Sequence, residues 1–597
     1  MTEMHNLTLG NLRATYQEGR ETPVTLIPRL RAQALEQRDY NAWIYLLSEA
    51  ELQPYIEALS DKPMDLPLWG VPFAIKDNID LKGVPTTAGC EAFSYVPERS
   101  AAVVELLIAA GAIPLGKTNL DQFATGLVGM RSPHGEGKNV FNTDYISGGS
   151  SSGSAIATAL GQVSFALGTD TAGSGRVPAA FNNLVGHKPT KGLLSTTGVV
   201  PACKSLDCVS IFALTSADAA SVLAVAAQAD TTDPYSRANI AYNTLPYWHD
   251  DKPAAFTFGI PNQLDFDGDS DAEALFQIAC AKLKALGGIA LTLDFAPFMQ
   301  AARLLYEGPW VAERAWATRD VSAEAMLPVI RQILATTGNF AVTDVFAAQY
   351  KLQALKKVCD RELAQVDFVL TPTAPTCYTR AALREEPVAL NSRLGTYTNF
   401  MNLLDYAATA VPMGRLSSGV SWGVTLFGPA FSDMRLLSMS GALQRALDLP
   451  LGAMSHILPP DTTVGRIAPG DTVDVLVCGA HLAGQPLNWQ LLDRGAMLKT
   501  STTTVPTYAL YALPDGKRPA LVQKTDGTAI EVEIWEMPMA AFGSFVAGIP
   551  APLGIGKVTV ASGETVCGFI CEEGGLAGAT DISHFGGWRA YLADKQG

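Results

Sequence analysis

The sequence is poor in charge and lacks the common metal and redox signatures. Asp, Glu, Lys and Arg make up 17% of its 597 residues, and acidic residues outnumber basic ones 58 to 43, for a net charge of -15. That sign argues against a nucleic-acid groove or an anionic membrane face as partner, although one placed arginine could still bind a small anion. Nine cysteines form no CxxC pair, and the nearest two, Cys567 and Cys571, stand four apart. A chain this long needs no disulfide scaffold, so they read as reduced thiols of a cytoplasmic protein. The histidines fall in no HExxH or HxxxH pattern, and no metal is expected. No apolar run approaches the ~18 residues of a membrane span. The opening stretch, MTEMHNLTLGNLRATYQEG, lacks the apolar core of a secretory signal.

Hydrophobic residues reach 48%, a globular composition, and the length exceeds one comfortable core. Residues 8–60 read as helices. WGVPFAIKDNIDLKGVPTTAGC (69–90) reads as a strand, a turn and a Pro/Gly loop. SAAVVELLIAAGAIPLGKTNL (100–120) reads as an apolar helix ending at Gly111, then a strand. GSAIATALG (153–161), VSFALGTDT (163–171) and VDFVLTPTAP (366–375) continue the alternation as helix, strand and strand. Such near-continuous apolar runs mark an α/β fold with a buried sheet covered by helices. Around 452–470 the texture becomes loop-like, and beyond it short alternating stretches punctuated by turns read as a small β-rich α+β domain. The expected division is residues 1–455, a linker at 456–470 and a second domain at 471–597.

The segment GGSSSGSAIATALGQVSFALGTDTAGSGRVPAA (148–180) concentrates serine and glycine, with Asp170 its single acidic residue. A flexible linker would not run into AIATALG and VSFALGT, which must be buried. A phosphate cradle at a helix N-terminus is a second reading, but within this segment neither glycine-loop spacing is met. Nucleophilic catalysis is the third. A serine hydroxyl needs a base, and His134 and His187 lie outside the segment. A buried neutral lysine can replace histidine, because burial disfavours its charge. Lys76, closing the apolar run VPFAIK, is the candidate; its ordinary alternative is a strand-end lysine reaching solvent.

The same segment resembles the signature of the amidase signature enzymes, as do VPFAIKDNID, GKTNLDQFA and HKPTKGLLS around it. The resemblance covers roughly residues 20–440. It implies a mixed central β-sheet covered by helices and a Ser–cis-Ser–Lys triad: nucleophile Ser174, bridging Ser150 after a cis peptide bond, base Lys76. Glycines beside Ser150 permit backbone angles other residues refuse. Ser151 and Ser152 are read as supporting hydrogen-bond partners or filler, not as catalysts. The oxyanion hole falls on the backbone N–H groups of Thr171, Ala172, Gly173 and Ser174. The family's usual GGS reads AGS here, a small departure provided that Ala172 keeps a negative φ.

LLYEGPWVAER (304–314) and NLDQFATGLVGMRSPHG (119–135) resemble the branch of that family acting on allophanate, urea-1-carboxylate. In that branch a tyrosine and an arginine, here Tyr306 and Arg314, hold the substrate carboxylate. An arginine fork suits a carboxylate. The alternative is a surface helix with Pro309 at its first position and Arg314 paired to Glu313 or Glu307. One continuous helix would separate Tyr306 and Arg314 by ~12 Å, so they can converge only if Gly308-Pro309 bends the chain. Residues 473–491 read as strand, glycine turn and helix, with His481 at the turn. The region resembles the branch's C-terminal domain, described as γ-glutamyl-cyclotransferase-like and implicated in decarboxylating the first product. CGAH replaces the Tyr-Gly-Ser-Asn turn of cyclotransferases, which speaks against that activity. GIPAPLGIGKVTV (548–560) is expected to close the pocket. A small-molecule substrate, no cofactor and a homodimer complete the expectation. Another amidase of the same chemistry, of malonamide or aryl-amide type or the amidase subunit of a tRNA-dependent amidotransferase, and a non-enzymatic scaffold remain the rivals.

Overall fold

In the computed structural model, residues 6–244, 256–458 and 472–596 are described. The chain divides into two compact units that change over near residue 465. The expected linker, 456–470, lies mostly outside the described residues.

The first unit is built on eleven strands: β1 (Trp43–Leu46), β2 (Pro72–Lys76), β3 (Ile113–Thr118), β4 (Phe165–Asp170), β5 (Val185–Lys188), β6 (Cys208–Ala213), β7 (Phe256–Pro261), β8 (Gly288–Leu293), β9 (Phe368–Pro372), β10 (Tyr406–Arg415) and β11 (Ser421–Pro429). They form one mixed sheet in the order β1-β3-β2-β4-β6-β5-β10-β11-β9-β7-β8. β3, β2 and β4 run parallel, as do β9, β7 and β8, while the strands between them are antiparallel. β2, β3, β4 and β6 are buried along their whole length, which is why their sequences are apolar runs rather than alternations. The stretch 8–60 departs from its helical expectation at β1. WIYL is aromatic and β-branched, and it adds an antiparallel edge to β3.

β2 and β4 pair as Phe73↔Phe165, Ala74↔Ala166 and Ile75↔Leu167. Their carboxyl ends, Lys76 and the Thr169-Asp170 pair, therefore lie side by side at the sheet edge where open α/β folds place ligands. The wholly buried helix Ser152–Ala159 covers this region.

The second unit has β12 (Thr472–Val477), β13 (Met497–Thr503), β14 (Tyr508–Ala512), β15 (Pro519–Gln523), β16 (Glu531–Pro538), β17 (Leu553–Thr559), β18 (Thr565–Cys571) and β19 (Thr580–Asp581). Five make a sheet in the order β13-β16-β12-β18-β17, and three make a second sheet, β15-β14-β19. Val475, Val477, Ile534, Trp535 and Trp588 fill its core. The helix expected after the glycine turn shrinks to one turn, Trp489–Leu492. Among the described residues no helix is long and apolar enough to cross a membrane, and no group of three His, Cys, Asp or Glu could hold a metal ion.

Candidate active site

Lys76 closes β2 and is fully buried. Its Nζ stands 2.8 Å from Ser150 Oγ and 2.7 Å from Thr169 Oγ1. Loss of water disfavours the ammonium and draws the amine down to about 7. Asp121, Asp207 and Asp170 work against that shift, and Arg314 adds to it. The side chain does not reach solvent.

Ser150 follows a cis peptide bond from Gly149. Asp121 donates its amide to the Ser150 carbonyl at 3.0 Å. A Cβ on Gly149 would lie 2.3 Å from Asp121 Oδ2 and 2.4 Å from the Gly129 nitrogen, so only glycine fits. Ser151 Oγ donates to the Thr169 carbonyl and accepts from the Thr169 amide, the supporting role expected of it.

The turn after β4 carries Ser174. Asp170 anchors it, accepting from Gly173 N at 2.8 Å, Gly175 N at 3.0 Å, and Arg176 Nε and Nη2 at 2.9 Å each. Burial opposes ionisation of Asp170, but Arg176 and these donors hold its carboxyl below the usual range. Gly173 has φ +127°, and a Cβ there would strike Thr398 Oγ1. Ala172 is not among the residues with positive φ. One expectation is revised: the Gly173 amide is already committed to Asp170 and does not point into a vacant hole. The amides of Thr171, Ala172 and Ser174 make no hydrogen bond among the described residues. Nor does a hydrogen bond join Ser150 to Ser174. The Ser174 hydroxyl donates to the Gly126 carbonyl at 3.4 Å instead.

Tyr306 and Arg314 come together. One helix ends at Glu307, Gly308 is extended, Pro309 caps the next helix, and that helix runs Trp310–Ala317. The break brings Arg314 Nη2 to 3.4 Å from the Tyr306 hydroxyl, with the guanidinium 5.5 Å from the ring centre. Arg314 is 3% exposed, and Nη1 donates to Thr125 Oγ1 at 3.1 Å and the Ala124 carbonyl at 3.5 Å. The surface-helix alternative fails, since Glu313 bonds Ser205 instead. The loop Ala124-Thr125-Gly126 thus touches the arginine with its first two residues and Ser174 with its third.

In the second unit His481 lines a cavity of about 220 Å³ with Gln490, Arg518, Ile549, Leu553 and Phe569. Its Nε2 is 3.0 Å from Gln490 Oε1, and its ring stacks on Phe569 at 5.0 Å. Burial lowers its proton affinity, Gln490 opposes this, and Arg494 adds to it. The stretch 548–560 contributes to the cavity wall, as expected.

Thr169 and Thr125 were not foreseen. A single threonine near a strand end or in a loop carries no signal until the chain is folded. A converse case is GAIPLGKT (111–118), which fits a phosphate-loop spacing. Most of it is β3, and Lys117 is buried 3.4 Å from Asp77, so no cradle forms.

The sequence matches the amidase family over residues 29–437 and the allophanate hydrolase C-terminal domain over 473–593. It is 44% identical to the urea amidolyase of Lachancea kluyveri over 96% of this chain, and that match occupies 32% of the relative. The chain therefore spans about a third of the length of that relative. The structure is similar to that of the allophanate hydrolase of Kluyveromyces lactis, with TM-score 0.85 and 41% identity over 98% of this chain and 99% of that one. It is likewise similar to the K. lactis urea amidolyase, with TM-score 0.87 and 41% identity over 99% of this chain and 37% of that one.

Proposed function

Because the chain belongs to the amidase family, we propose that it hydrolyses allophanate to ammonia and N-carboxycarbamate through an acyl-enzyme on Ser174. The observation that carries this reading is Arg314, buried beside Tyr306 and joined by the loop 124–126 to Ser174. A buried guanidinium one loop residue from a nucleophile suits a substrate with a carboxylate next to its amide.

With Lys76 neutral, its lone pair accepts the Ser150 proton while the amine donates to Thr169. Ser150 in turn takes the Ser174 proton, and Ser174 attacks the amide carbonyl. The free amides of Thr171, Ala172 and Ser174 meet the oxyanion, and each such donor is worth about 3 kcal/mol. The proton passes back to the departing nitrogen, ammonia leaves, and water releases N-carboxycarbamate from Ser174.

In this reading the second unit, a domain of γ-glutamyl-cyclotransferase-like type, decarboxylates that product in the His481 cavity. Cytoplasmic residence is supported by nine unpaired thiols, and a homodimer rests on the family resemblance alone. The test is ammonia release from allophanate. Wild-type protein is expected to turn it over and Arg314→Ala to lose it; full turnover by Arg314→Ala defeats the carboxylate assignment.

A further inference from the structure

We infer that Asp207 is a positioning residue for the hydrolysis, fixing the oxyanion turn through Thr171 and tying it to the helix that carries Arg314. The inference rests on the reading above, in which the Thr171 amide meets the oxyanion and Arg314 the substrate carboxylate.

Residues 202–207 form a short loop just ahead of β6. Asp207 closes it by accepting from the Ala202 amide at 2.8 Å and the Cys203 amide at 3.2 Å. Its third bond leaves the loop: Thr171 Oγ1 donates to Asp207 Oδ1 at 2.5 Å. Thr171 is the first residue of the oxyanion turn. The same loop reaches the other way. The Ser205 amide and hydroxyl both donate to Glu313 at 2.7 Å, and Glu313 directly precedes Arg314. A continuous path therefore runs Thr171, Asp207, Ser205, Glu313, Arg314. A carboxylate that only capped its own loop would stop at the two amides.

The charge has a second consequence. Asp207 is buried, and no cation forms an ion pair with it among the described residues. Burial raises its carboxyl to about 6, while Thr171, the Cys203 and Ala202 amides and Arg314 oppose the shift. It also lines a cleft shared with Lys204, Asp233, Arg319 and Asp320. Together with Asp121 and Asp170 it favours the charged form of Lys76, against Arg314. A bond that holds a transition-state donor in place affects the chemical step more than substrate binding.

The experiment uses the full chain with two readouts: ammonia release from allophanate, and the rate at which a fluorophosphonate labels Ser174. Thr171→Val removes the bond at nearly constant shape. It is expected to lower kcat about 10–100-fold and slow labelling in step, with KM within about threefold. Thr171→Ser, which keeps the hydroxyl, recovers most of the lost kcat. Asp207→Asn moves the acid limb of the rate profile to lower pH, because Lys76 loses a neighbour that favours its ammonium. The double variant Asp207→Asn with Thr171→Val is no slower than Asp207→Asn alone. Melting curves identify any variant that fails to fold, and Thr171→Val then decides the matter by itself. Wild-type kcat and labelling in Thr171→Val, a loss confined to KM, an unmoved acid limb or additive losses would each overturn the inference. If wild-type protein labels but releases no ammonia from allophanate, the substrate reading has failed, and the labelling rates still judge Asp207.

Discussion

Lys76 is a fully buried base and His481 a half-buried one, and loss of water has lowered the proton affinity of both, yet they stand in different company. Lys76 touches two hydroxyls, and three carboxylates act on it from nearby. His481 touches one amide and two aromatic rings, and the charge acting on it is Arg494. The first arrangement can accept a proton from the Ser150 hydroxyl, which in the proposed relay takes one from Ser174. The second has a proton acceptor but neither a nucleophile nor an orienting acid bonded to it. It is suited to binding an anion or delivering a proton, not to covalent catalysis. Burial of a base is therefore not itself a mechanism; its hydrogen-bond partners decide what it does.

The sharpest way to break this contrast is to remove the relay. Ser174→Ala and Lys76→Ala are each expected to reduce ammonia release from allophanate by at least about 1000-fold. Neither should alter the decarboxylation of supplied N-carboxycarbamate. If Ser174→Ala retains ammonia release within tenfold, the first unit is not acting through this serine.

Next in size is Arg314→Ala. It takes a charged fork from a buried site, and about 100–1000-fold in kcat/KM on allophanate is expected to go with it. Turnover of a small neutral amide should change less than tenfold, since such a substrate offers no carboxylate. Equal losses on both substrates would assign Arg314 to the architecture of the 124–126 loop instead.

The parts of this contrast were unequally legible in the sequence. Lys76 stood out as a charge ending the run VPFAI, but a strand-end lysine reaching solvent fits the same residues, and only the family resemblance made it the base. Ser150 and Ser174 followed from a motif whose glycines are demanded by contact, as Gly149 against Asp121 and Gly173 against Thr398 make plain. The meeting of Tyr306 and Arg314 was conditional on a bend at Gly308-Pro309, and the chain bends there. What stayed hidden involves partners far apart in sequence. Thr169 serves Lys76 from 93 residues away, and Thr125 serves Arg314 from 189. The Gly173 amide was misjudged for a related reason: which N–H groups in a turn are free depends on where the neighbouring Asp170 carboxylate points. β1 was lost to helix because four residues are too few for a period to show.

A smaller effect is expected in the second unit. His481→Ala should leave ammonia release from allophanate unchanged within about twofold. It should slow carbon dioxide formation from N-carboxycarbamate by about 10–100-fold, down to the spontaneous rate at worst. Simultaneous measurement of ammonia and carbon dioxide separates the two. A His481→Ala protein that releases carbon dioxide as fast as wild type would reduce the cavity to a packing feature.

The gentlest test changes no residue. The relay requires neutral Lys76, and its amine is drawn down to about 7. Below that value the ammonium form dominates and cannot accept the Ser150 proton, so kcat/KM is expected to fall about tenfold per pH unit. Above it the amine is neutral and the rate levels off. An unperturbed lysine, near 10.4, would put the same limb more than three units higher and leave the enzyme nearly inactive at pH 7. His481 also loses its proton more readily than a free imidazole, but only carbon dioxide formation should follow its titration. Two limbs at different pH, one in each product, would show the two bases working independently. A single limb shared by both products would mean that the first step limits the second and hides it, and supplying N-carboxycarbamate directly would then expose the His481 limb.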